Sequence, residues 1–191
     1  MKKITYLILG ITLLLVAFAS YKEIDNSCGG IERWDIKTVT DKDSSKINVN
    51  PIQSSVSELI NTKVPFEKIG NHSPRTGNEF NVYSITVYIT FYKLEADSDI
   101  HIVACDLNNK NITMICEIPN PNCPQVKKSP YLKNIIEARK IFLSFKKTAH
   151  SIQEGTYILT GVCFYDKLHG QTGLAPNGIE LHPLLNIKKI M

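Results

Sequence analysis

The chain has 191 residues, with 22 Lys and Arg against 18 Asp and Glu and a net charge of +4. That length suits one domain with an ordinary core, and so mild a charge excludes bulk electrostatics as a basis for binding nucleic acid or an anionic membrane. Five cysteines without a repeated close pair exclude a zinc ribbon, and their odd number leaves at least one thiol outside any intramolecular disulfide.

Lys2 and Lys3 precede an apolar run from Ile4 to Ala19 that closes on Ala17-Phe18-Ala19. A basic start, an apolar middle and small residues at alternate positions are the pattern of a secretory signal peptide over residues 1–19. The run is shorter than the ~20 residues of a spanning helix, so membrane contact is expected only through an uncleaved segment. No Cys sits at the cleavage point, which argues against a lipid anchor. Cleavage after Ala19 removes two lysines and leaves a charge of +2. The mature chain is expected to be exported, periplasmic or extracellular, where disulfides are permitted.

Residues 20–79 read as an N-terminal arm with a short helix. Within it, GGIERWDIKTVTD (29–41) is an island of order around Trp34, the single tryptophan, which is expected to plug an edge of the core. Arg33 and Lys37 lie close to Glu32 and Asp35, and local pairing accounts for them. Ser54 or Ser55 can cap a helix with Glu58 in its first turn, and Pro65 ends it. Residues 67–79 are loop by composition and hold His72 and Arg75, the histidine expected in solvent.

Residues 80–191 read as the barrel domain. From 81 to 94 apolar residues alternate strictly: Tyr83, Ile85, Val87, Ile89 and Phe91 on one face, and Ser84, Thr86, Tyr88, Thr90 and Tyr92 on the other. LEADSD (94–99) turns the chain into a second strand, 100–106. NNKN (108–111) turns it again into a third, 112–118. A helix starts near Ser129-Pro130 and carries Tyr131, Ile135, Ala138, Phe142 and Phe145 as one buried stripe. Strands over 156–165 and 179–187 follow, joined by HGQTGLAPNG. The fold class is therefore mainly β, with one helix between the third and fourth strands. That order resembles the OB-fold, a five-stranded Greek-key barrel.

Four pieces, ERWDIKT (32–38), EADSDIH (95–101), EIPNPNC (117–123) and HGQTGLAPNGIELHPLL (169–185), resemble a group of exported bacterial proteins that carry no assigned activity. The resemblance spans most of the mature chain. It implies a shared secreted, OB-like domain and brings no catalytic residue with it.

EADSDIH sets Glu95, Asp97, Asp99 and His101 at alternate positions, so a regular strand turns them one way. Asp166, His169, Glu180 and His182 come from the terminal stretch, with Glu180 and His182 on one face. Gathered at the barrel mouth, these groups can hold a divalent metal, with His101, Glu180 and His182 as candidate ligands. The competing reading is structural: DSD is ordinary turn chemistry and no established metal spacing such as HExxH is present. Nuclease chemistry also needs arginines at the phosphate, yet Arg33, Arg75 and Arg139 all lie outside the strands. Single-stranded nucleic acid is disfavoured by the acids around Tyr88 and Tyr92. The leading function is a small exported, non-catalytic binding domain for a protein, peptide or cation. Its surface would join Tyr88 and Tyr92 to a rim of Asp97, Asp99, His101, His169, Glu180 and His182. A metal-dependent hydrolase at the same rim is the alternative.

Two disulfides are candidates. A tight turn at Lys110-Asn111 would set Cys105 opposite Cys116, and Cys28 with Cys123 would tie the arm to the barrel.

Overall fold

Alternating β-branched and aromatic residues give the barrel its strands, and the computed structural model, which describes residues 28–29, 32–65 and 69–190, closes them on one another. The expected signal peptide lies outside the described residues. The strands are β1 (Asn48–Ser54), β2 (Asn81–Leu94), β3 (Ile100–Cys105), β4 (Thr113–Ile118), β5 (Thr156–Tyr165) and β6 (Ile179–Lys189). The helices are α1 (Trp34–Lys37), α2 (Val56–Leu59) and α3 (Leu132–Ser144), the last between β4 and β5.

The long strand β2 is the seam. It pairs antiparallel with β3 along its second half and with β5 along its first. From β3 the ring continues through β4 and β6 back to β5, with β4 and β6 parallel and the other pairs antiparallel. This five-stranded closed circuit, with the helix after its third strand, is the OB-like barrel expected from the order of elements. Its interior is filled by Ile85, Val87, Ile100, Ile102, Met114, Cys116, Leu159 and Leu181, all buried, and α3 lays Ile135, Ala138 and Phe142 against it. Ser55 caps α2 in a capping box with Glu58.

A bulge between Ile89 and Phe91 breaks the alternation that the sequence shows along β2. The extra residue reverses the faces beyond it. Tyr92 therefore enters the core, edge-on to Phe142 at 5.1 Å, and its hydroxyl donates to the Thr148 carbonyl at 2.6 Å. Phe91 turns outward and stacks on His150. The expected surface formed by Tyr88 and Tyr92 together is thus corrected: Tyr88 stays outside, under the ammonium of Lys110 at 4.7 Å, while Tyr92 is a core residue. The strand β1, parallel to the start of β2, lacks any expectation from sequence. It is exposed along nearly its whole length and holds Pro51, which suits an edge.

The opposite side chains of β3, β4, β5 and β6 face outward, yet few are wet. The N-terminal arm crosses them, packing Val39 and Ile47 on Val82 and Val162. Residues 166–178 cover the remainder, with Gly173 seated against Val103. Cys28 and Cys123 stand at disulfide distance, 2.19 Å, and pin the arm. Cys105 and Cys116 do not pair; both thiols are free and buried. The loop between β3 and β4 is longer than a two-residue turn and registers Cys105 with Thr113, so the two thiols fall on opposite faces of the sheet. Arg33 and Lys37 are not locally paired either: they reach Glu79 and Asp166, far along the chain. His72 stays in the loop, but Arg75 is buried against Asp41 at 2.7 Å.

One tight contact holds the covering loop in place. Gly178 sits at φ +71°, and its carbonyl accepts the Asp166 amide at 2.8 Å. A β-carbon there would meet the Asp166 carbonyl oxygen at 2.4 Å. Gly170, in the same loop at φ +78°, has open space around it. Gly178→Ala is expected to lower stability by about 2–3 kcal/mol, through strain and displaced backbone, and Gly170→Ala by about 1 kcal/mol, through strain alone. Urea unfolding of the two variants checks the difference; equal effects would show that the close approach does not matter.

Candidate functional site

On the covered outer wall, β3, β4 and β6 run side by side and turn polar residues into the space beneath the arm. His101 and Glu117 are direct cross-strand partners. Glu180 is in register with Ile115, two residues before Glu117, and His182 follows Glu180 at the next same-face position. The two distant polar tracts therefore do meet. They meet on the outside of the wall and not at the barrel mouth, because alternation points them away from the interior while the arm shields them from water.

Glu117 is the centre of the cluster. Its Oε1 lies 3.0 Å from His101 Nδ1 and its Oε2 lies 3.1 Å from His182 Nε2. The first contact is a hydrogen bond; the second falls outside hydrogen-bonding alignment, and His182 Nε2 has no hydrogen-bond partner. Asp99 Oδ2 is 3.9 Å from His182 Nε2, and it too is buried without a partner. Glu95 Oε1 is 3.5 Å from His101 Nδ1 and accepts from Lys93 Nζ at 2.8 Å. The far nitrogens of both rings are occupied: His101 Nε2 donates to Thr172 O at 2.9 Å, and His182 Nδ1 donates to Lys37 O at 2.9 Å.

Burial and charge set the protonation here. Burial alone would raise Glu117, but His101, His182 and Lys37 outweigh it and hold this carboxyl well below the ordinary range. Burial pushes Asp99 up to about 7, against the pull of His182 and the Asn120 amide. Glu180 is raised well above its ordinary value, first by burial and then by the nearby Glu117 charge, and neither of its oxygens has a hydrogen bond. Burial acts to lower His101, yet Glu117 and the Thr172 carbonyl raise it. Lys37 is likewise raised despite burial, through Glu180, Asp166 and Glu117, and its Nζ meets Asp166 Oδ2 at 3.1 Å.

A cleft of about 210 Å³ opens onto the cluster and reaches Glu117, Asp99 and His182, with Trp34 and Lys37 on its arm side. Of the residues expected at the site, Asp99, His101, Glu180 and His182 are fully buried and close together. Asp97 lines the cleft and accepts the Asp99 amide at 3.0 Å, so it shapes the turn. His169 is exposed at the cleft edge, 3.5 Å from Asp166 Oδ2. Tyr88 and Tyr92 do not line it. Glu117 and Lys37 are the residues that sequence reasoning missed. Part of the signal for Glu117 was present: it is the one carboxylate in TMICEI, although the tight turn expected at Lys110-Asn111 would have set Asn120, and not Glu117, opposite His101.

Three ligand-type atoms, from Asp99, Glu117 and His182, lie within 4.8 Å of one another, and a second such group comprises Glu95, His101 and Glu117. Atoms bound at about 2.0–2.2 Å to one ion stand roughly 3 Å apart, so small side-chain shifts would bring either group onto a cation. The arginines offer nothing to a phosphate: Arg33 is held by Glu79, Arg75 by Asp41, and Arg139 by the carbonyls of Ile118 and Ser98. Comparison with known proteins gives no matching family model, no matching curated protein and no matching solved structure.

Proposed function

We propose that this is a small exported binding domain whose ligand is a divalent first-row cation, held by Asp99, Glu117 and His182. One observation carries the reading: Asp99 Oδ2 and His182 Nε2 are both buried, both without a hydrogen-bond partner, and 3.9 Å apart beside Glu117 Oε2. The Lys37 carbonyl takes the Nδ1 proton of His182, so in the neutral ring the lone pair sits on Nε2 and points at two carboxylates. A lone pair facing carboxylate oxygens repels them, and a cation between them removes the repulsion. Imidazole fixed by a backbone carbonyl is the usual outer support of a metal ligand. Mixed nitrogen and carboxylate donors suit Zn²⁺ or Mn²⁺ better than the all-oxygen preference of Ca²⁺.

Export rests on the sequence of residues 1–19 and on the resemblance to exported proteins. The cysteine pair at disulfide distance fits an oxidising compartment, and no helix among the described residues is long and apolar enough to cross a membrane. The nuclease-like alternative loses ground to the arginine pairings above.

Metal analysis and equilibrium dialysis of the purified protein against Zn²⁺ test the reading. The wild type is expected to retain Zn²⁺, and Asp99→Asn and His182→Ala are each expected to weaken retention at this position by about a hundredfold or more, with unchanged far-ultraviolet circular dichroism. Absence of bound metal in the wild type, or equal affinity in folded variants, would overturn it.

A further inference from the structure

We infer that the cluster takes two cations and not one, with Glu117 as a carboxylate bridge between an Asp99–His182 position and a Glu95–His101 position. This rests on the cation-binding reading above and extends it to the second half of the same cluster.

The argument is the pseudo-symmetry of the contacts around Glu117. Each of its oxygens faces one imidazole nitrogen, at 3.0 Å for His101 Nδ1 and 3.1 Å for His182 Nε2. Each imidazole gives its other nitrogen to a backbone carbonyl, Thr172 O or Lys37 O, both at 2.9 Å. A carbonyl can only accept, so both of those nitrogens carry hydrogen, and the nitrogens facing Glu117 are the ones a cation would take: His182 Nε2 has no hydrogen bond to lose, and His101 Nδ1 would exchange its hydrogen bond to Glu117 for the ion. Each ring nitrogen also has a further carboxylate oxygen beside it, Glu95 Oε1 at 3.5 Å or Asp99 Oδ2 at 3.9 Å. The halves are thus equivalent in chemistry: one imidazole, one private carboxylate and one shared carboxylate. A bridging carboxylate sets two ions about 3.5–4 Å apart.

Charge favours the pair. Asp99, Glu117 and Glu180 are buried together with Lys37 as their near cation, and Lys37 is already shared with Asp166. In the second position Glu95 must exchange Lys93 for the ion. That is a modest step, because the pair is partly in solvent, with the Lys93 side chain 38% exposed.

The test uses Mn²⁺, which reports both number and proximity. The full protein is dialysed against Mn²⁺, bound metal is counted, and the electron paramagnetic resonance spectrum is recorded. Two Mn²⁺ per chain with a spin-coupled spectrum are expected. Glu95→Gln and His101→Asn are each expected to leave one Mn²⁺ with the six-line spectrum of an isolated ion. Glu95 is only partly buried, so Glu95→Gln keeps the test decisive should His101→Asn fail to fold. One Mn²⁺ per chain in the wild type, lost in Asp99→Asn, would overturn the second position and leave the first. Two uncoupled ions, or a second ion indifferent to Glu95→Gln, would also overturn the bridge. No bound Mn²⁺, together with no bound Zn²⁺, would remove the cation-binding reading itself.

Discussion

Arg33→Met is expected to lower the unfolding free energy by about 3–5 kcal/mol, because it leaves a carboxylate alone in the interior. The Arg33 guanidinium meets Glu79 through two nearly parallel bonds, Nη1 to Oε1 at 2.7 Å and Nη2 to Oε2 at 2.6 Å, and the side chains are 2% and 0% exposed. The same guanidinium donates to the carbonyls of Ser73, Pro74 and Tyr165. Removing it therefore strands one charge and three carbonyls. Glu79 would keep the amides of Thr76 and Tyr165, both at 3.0 Å, which bounds the loss. Arg33 also holds a left-handed backbone, φ 50°, which persists only where the surroundings fix it. The double variant Arg33→Met, Glu79→Leu is expected to recover part of the loss, since neither charge then remains. Lys46→Ala serves as the contrast: Lys46 meets Asp43 at 2.8 Å with its side chain 67% exposed, so the change should stay within about 0.5 kcal/mol. Urea unfolding measures all three. An Arg33→Met effect below about 1 kcal/mol would show that the pair does not hold the arm to the barrel.

The second large effect is expected from the disulfide. Cys28 and Cys123 close 95 residues of chain. Cross-linking so long a loop restricts the unfolded chain by an amount equivalent to about 4–5 kcal/mol. Cys28→Ser with Cys123→Ser is expected to lose most of that. The native fold should nevertheless persist at 25 °C, because Arg33–Glu79 and Arg75–Asp41 still clamp the arm. Function should respond more sharply than fold. The Lys37 carbonyl that orients His182 belongs to the arm, so a looser arm frees the imidazole. Zn²⁺ affinity of the serine variant is expected to fall by about 10–100-fold, the usual effect of losing outer support for a ligand. Chemical unfolding and Zn²⁺ titration of the same sample check both parts. Full stability in the variant would mean that the cysteines are not joined in the folded protein.

These two sets of contacts also explain what the sequence displayed and what it hid. The barrel was legible because period-two alternation with Val, Ile, Thr and Tyr is a local property, and β2 to β6 each carry it. The stripe of Ile135, Ala138 and Phe142 made α3 legible in the same way. The bulge at Ile89–Phe91 was hidden, since nothing in ITFY marks an extra residue, and it misplaced Tyr92. The edge strand β1 was hidden because NVNPIQS has no buried face to pattern it. At the site, His101, Glu180 and His182 could be read as one group from alternate spacing on strands. Their location on the outer wall could not, because it depends on an arm whose partners lie far away in sequence. Arg33 and Lys37 look satisfied by the acids next to them; burial, which no local pattern shows, is what sends them to Glu79 and Asp166.

The same remoteness governs the order in which the molecule can assemble. Arg33 donates to the carbonyl of Tyr165, 132 positions later, and Cys28 awaits Cys123. The arm comes first in the chain; Arg75, Glu79 and Val82 follow soon after it, but Cys123, Tyr165 and His182 come much later. Its full docking is expected only once β5 and β6, which carry Tyr165 and His182, have joined the ring and the Lys37 carbonyl can meet His182. Covering of His101 and Glu117 is therefore expected late in folding, and a truncated chain ending before Tyr165 is expected to carry both without the arm docked above them.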